Sequence, residues 1–147
     1  MQLTAALITA LIGASLVVQI GLNASMRAHV GSAAGAAFVN FAVGTVALAL
    51  YAVATRAPIP SGAQLAGVPW WAWMGGLFGA CYVAASTVLG PLLGGAAFVA
   101  LVVAGQMLTS LYIDHYGLLG FAQRPVDFVR LLGAALVVVG VVLLVRR

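Results

Sequence analysis

The chain has 147 residues, 65% of them hydrophobic and 5% charged, and its formal charge of +4 comes from six Arg against two Asp, with no Lys or Glu. That much apolar surface cannot be hidden inside a water-soluble globule, so the composition implies an integral membrane protein. The arginines flank apolar runs and form no basic strip, which argues against nucleic acid as a partner; a single cysteine, Cys81, excludes an internal disulfide and reads as a small buried hydrophobe.

Five apolar runs are long enough to cross the hydrocarbon layer, which takes about 20 helical residues. The first, residues 3–22, lacks a basic n-region and reads as a retained helix, not a cleaved signal peptide. A polar turn over residues 23–31 (NASMRAHVG) leads to the second run, residues 32–55. The longest loop, residues 56–69 (RAPIPSGAQLAGVP), holds the breakers Pro58, Pro60 and Gly62, and its Pro69 suits the first turn of the third run, residues 70–89. Residues 90–95 (GPLLGG) read as a tight hairpin into the fourth run, residues 94–113. Residues 114–127 (DHYGLLGFAQRPVD) contain both acids, with Asp127 placed to cap the fifth run, residues 128–145.

An odd number of spans puts the termini on opposite sides of the membrane. Arg56, Arg124 and Arg130 then lie on the amino-terminal side, and Arg27, Arg146 and Arg147 on the other. Orientation follows the excess of Lys and Arg in short loops, and three against three leaves no excess. The expectation is a chain that inserts both ways up and pairs with an opposed copy, with a fixed orientation set by the first helix as the alternative. Such an antiparallel homodimer has ten helices in an inverted-repeat arrangement.

Polar residues recur inside four of the spans. Ser15, Gln19 and Asn23 follow one another at spacings of four, a stripe on one helical face. Asn40 with Gly44, Tyr82 with Ser86, and Gln106 with Thr109 and Ser110 give the next three spans polar or small faces, while the fifth has none. An amide at bilayer depth needs a partner on another helix or a wet cavity. The first four spans are therefore expected to enclose a hydrated path, with the fifth outside it at a dimer seam through Gly133 and Gly140. Amide bonds across a plain packing contact are the alternative. Trp70, Trp71 and Trp73 read as an interfacial belt, with Trp71 also a candidate gate. The glycines Gly75 and Gly79 read as a helix contact.

Asp114 closes one span and Arg130 opens the next, each against its local helix dipole. An ion pair between them would resolve both, anchoring the fifth span to the fourth; a gating or proton-linked role with His115 is the other reading. No charged or imidazole side chain occurs mid-span, and no nucleophile–base pair, metal cluster or phosphate loop is present. The sequence thus carries no enzyme signal and calls for no cofactor.

The segments VVQIGLN, PWWAWMGGLFGACYV, VVAGQMLTSLYIDHYG and RLLGAALVVVGVVLL together resemble the YdcZ-type proteins, small five-helix bacterial members of the drug/metabolite transporter superfamily. The resemblance covers nearly the whole chain in order. It implies a bacterial inner-membrane protein working as a homodimer or a fused or paired equivalent, with some members dual-topology, and a fold similar to half of a ten-helix transporter. The superfamily's four-helix multidrug exporters use a glutamate in the first helix. Gln19 stands in the first span here, so proton–drug exchange is not carried over. The expected function is alternating-access transport of a small solute, with Gln19, Asn23, Asn40, Trp71, Tyr82, Gln106 and Ser110 as substrate-contacting residues and lipid as surroundings. A passive channel and a non-transporting membrane partner are the competing readings.

Overall fold

In hydrocarbon every backbone N–H and C=O must bond within the protein, and for a single segment only the helix achieves this. The computed structural model describes residues 2–146. Among them are six α-helices: α1 (Gln2–Val30), α2 (Ala33–Ala54), α3 (Gly62–Ala66), α4 (Met74–Leu93), α5 (Gly95–Tyr116) and α6 (Phe128–Val145). A 3-10 turn, Trp70–Trp73, leads into α4. Five helical stretches are long and apolar enough to cross a membrane, α3 being too short.

At their carboxyl ends α1, α4 and α5 run further than the apolar letters alone indicated. Residues 23–30 do not form a turn; they complete α1, whose 29 residues rise about 43 Å. Between Leu22 and Gly31 there is neither Gly nor Pro to stop the helix, and Arg27 and His29 sit in its last turn, where positive charge complements the dipole. Gly31, at φ 80°, ends the helix, and Ser32 caps α2 by accepting the Gly35 N–H. The loop before the third span holds α3, started by a capping box of Ser61 and Gln64. The expected hairpin at 90–95 is likewise shorter: α4 continues through Gly90 and Pro91 to Leu93, and only Gly94, at φ 84°, breaks it from α5. At the other end α5 continues past Ile113 to Tyr116, so Asp114 and His115 are helical. Asp127 caps α6, its Oδ1 accepting the Arg130 N–H at 2.8 Å. Arg147 lies outside the described residues.

The chain divides into two units, one through Leu92 and one from Leu93 onward. In the first, α1 and α2 pack side by side. Gly90 of α4 meets Ile20 of α1 so closely that a Cβ on Gly90 would lie 2.5 Å from Ile20 Cγ2. Gly79 lies against Phe41 of α2, at 3.7 Å by the same measure, whereas a Cβ on Gly75 would meet nothing. The buried residues of α4, Val83, Ser86, Thr87 and Gly90, follow the helical repeat on one face. Cys81 is exposed, not buried: it falls off that face. In the second unit α5 packs along α6, and the connecting residues 117–127 fold back onto the end of α5.

Large apolar side chains such as Leu16, Phe38, Leu48, Leu101 and Leu136 are exposed on the single chain. Surface of this kind belongs against lipid or another chain, not water.

Candidate functional site

The stripe on α1 and the polar face of α2 meet. Asn40 lies about 5 Å along the axis from the midpoint of α2, and its Nδ2 donates to Asn23 Oδ1 at 2.6 Å. Asn23 is 3% exposed, so this bond supplies the partner that a buried amide requires. One turn before Asn23 on α1, Gln19 opens with Asn40 onto a hollow of about 230 Å³. Phe41, Gly44, Thr45 and Leu48 continue its wall along α2. These positions recur at one, four, five and eight residues after Asn40, a single helical face. Val83 of α4 completes the lining.

Three features settle the chemistry of this hollow. No lining residue carries a charge or a titratable group. The Thr45 hydroxyl is turned to its own helix, donating to Phe41 O at 2.8 Å, and Ser15 likewise donates to Ile12 O. Gln19 makes no side-chain hydrogen bond with any described residue, so its amide is open to a solute or to a second chain.

Other expected site residues take different places. Ser86, expected on the polar face of its span, does not line the hollow; its hydroxyl and that of the neighbouring Thr87 both donate to Val83 O, at 2.9 and 2.7 Å. Tyr82 is half-buried on α4 next to Val83, outside the lining. Trp71 is exposed in the 3-10 turn before α4. In the second unit, Gln106 is exposed and Thr109 donates to Gly105 O. Ser110 borders an open groove of about 420 Å³ with Met107, Leu111, Arg130, Gly133 and Ala134. Phe41, Thr45, Leu48 and Val83 were missed from sequence. Spacing from Asn40 was a usable signal for the α2 residues, and none existed for Val83.

Asp114, His115 and Arg130 form the second cluster, at the joint of α5 and α6. Arg130 Nη2 donates to Asp114 Oδ2 in a part-buried ion pair, and Nη1 donates to Arg124 O at 2.7 Å. The Arg124 N–H in turn donates to Asp114 O at 2.7 Å. His115 holds the other edge of the strap: Nδ1 accepts the Val126 N–H at 3.1 Å, and its carbonyl accepts from Gln123 Nε2 at 3.1 Å. With Nδ1 accepting, a neutral His115 ring carries its proton on Nε2. Among the described residues no group of His, Cys, Asp and Glu could hold a metal ion.

Five apolar spans define a multi-pass membrane protein. Residues 4–143 match the family model described as "Putative inner membrane exporter, YdcZ", and the chain belongs to this YdcZ family of the drug/metabolite transporters. The family is of the transporter kind, not an enzyme family, and places the chain in an inner membrane. No curated protein and no solved structure matches the chain.

Proposed function

We propose that two copies of this chain, inserted in opposite directions, form an antiparallel homodimer that carries a small solute across the inner membrane by alternating access. Gln19 and Asn40 contact the solute, and Asn23 holds the Asn40 amide in place. The observation that carries this reading is the uncharged hollow on α1 and α2, where the Gln19 amide stands open inside an apolar span. A lone amide facing lipid has no hydrogen-bonding partner there. A solute path, completed by a second copy, supplies one. The even division of arginines supports two orientations. On this reading Gln106, Ser110, Tyr82 and Trp71 are secondary candidates for solute contact, and the Asp114–His115–Arg130 cluster anchors the strap.

Two measurements test the proposal. In a Cys81→Ala background, single cysteines placed near each terminus are labelled with an impermeant reagent in intact cells. Both termini are expected to react in part from the outside; reaction of one terminus alone removes the antiparallel dimer. In proteoliposomes, flux is expected to saturate with solute and to accelerate when the opposite side is loaded. Unsaturating flux would mark a channel, and normal flux in Gln19→Leu would remove the hollow from the path.

A further inference from the structure

We infer that the solute taken by the Gln19–Asn40 hollow is an uncharged molecule with a carboxamide-like edge of adjacent donor and acceptor and a small apolar body. The inference rests on the solute-contacting role proposed for that hollow and goes further by naming the chemical class.

Charge is excluded first. None of the lining residues is ionisable, and α2 and α4 carry no charged side chain along their length. On α1 the nearest charge is Arg27, eight residues past Gln19, or about 12 Å along the axis. An ion entering the hollow would lose its water with no counter-charge to replace it. Hydrogen-bonding capacity comes second. Asn40 has committed one N–H to Asn23 and keeps its carbonyl and second N–H, while Gln19 keeps its whole amide. Whichever way each amide turns, it presents donor and acceptor side by side, the complement of a carboxamide, lactam or urea edge. The Thr45 hydroxyl proton is committed to Phe41 O. Phe41, Leu48 and Val83 make the remainder of the wall apolar. Size is third: this copy's share of the hollow, about 230 Å³, has room for about eight waters at about 30 Å³ each, so the part of the solute seated here is one small ring or its equivalent. That volume falls just below the roughly 300–1,000 Å³ usual for small-molecule sites.

Three probes with one ring and different charge separate these terms: nicotinamide, neutral; nicotinate, an anion; and 1-methylnicotinamide, a cation. Binding is measured on the full-length protein in phosphatidylcholine nanodiscs. Nicotinamide is expected to bind saturably and the two ions at least about tenfold more weakly. Gln19→Leu breaks no hydrogen bond among the described residues, so it tests the site without disturbing the fold; it is expected to weaken nicotinamide several-fold. Gln19→Glu supplies a carboxyl that ionises when a cation sits beside it, and is expected to shift preference to the cation. Equal binding of all three, or preference for an ion, with Gln19→Leu still weakening it, overturns the substrate class and leaves the site standing. Binding indifferent to both Gln19 substitutions overturns the site, and this inference with it. No saturable binding of any probe overturns the inference as well.

Discussion

Gly90 and Ile20 are matched through the absence of one carbon. A methyl on Gly90 would enter the space of Ile20 Cγ2, which belongs to a β-branched, buried side chain with little freedom to turn aside. Gly90→Ala is therefore expected to cost about 1–3 kcal/mol, the usual range for overpacking, read as a lowered midpoint of thermal unfolding in detergent. Ile20→Ala in the same chain should restore part of the loss, since it removes the clashing atom. The amide pair is coupled in the same sense. Asn40→Leu leaves the buried Asn23 amide without its partner, a cost of about 1–3 kcal/mol for an unsatisfied group. Asn23→Leu/Asn40→Leu together should cost less than the sum of the single changes, and a double-mutant cycle on unfolding measures the difference.

At the scale of elements, the strap from Gly117 to Asp127 is held by bonds at both edges, although its own sequence has little to fold around. Gly117, at φ 63°, turns the chain out of α5, and a Cβ there would also sit 3.1 Å from that of Gln123. Arg130 serves two acceptors, the Asp114 carboxylate and the Arg124 carbonyl. Arg130→Leu should thus loosen the strap more than Asp114→Asn, which leaves the Arg124 bond intact. The measurement is amide exchange across residues 117–127. A partly exposed ion pair contributes at most about 1 kcal/mol, so Asp114→Asn is expected to raise exchange in the strap while global unfolding barely shifts. If transport falls with yield intact, the cluster gates as well as anchors.

For the whole molecule, the three-against-three division of arginines should be adjustable. Two lysines added to the loop between α2 and α4 would break the balance and favour one orientation. Under the proposed antiparallel dimer this variant alone is expected to lose most transport. Co-expression with a copy biased the opposite way, by two lysines beside Arg146, should restore it. Full transport by a single biased variant would show that one orientation suffices.

Length, apolar runs and the near absence of charge sufficed to read five spans, because hydrocarbon leaves a single segment no alternative to the helix. Spacing alone placed Gln19 and Asn23 on one stripe, and Asp127 at a cap, because both are local consequences of 3.6 residues per turn. Helix ends were less legible. Polar letters in NASMRAHVG resemble a turn, yet every residue before its terminal Gly31 tolerates a helix, and α1 continues to Val30. Tertiary structure decided which faces meet: it joined Asn23 to Asn40, put Val83 in the wall and turned Ser86 back on its own helix, and it left Cys81 exposed. An apolar or hydroxyl side chain fits lipid, a neighbouring helix or a cavity almost equally well in a membrane. Only the packed arrangement of helices distinguishes these surroundings.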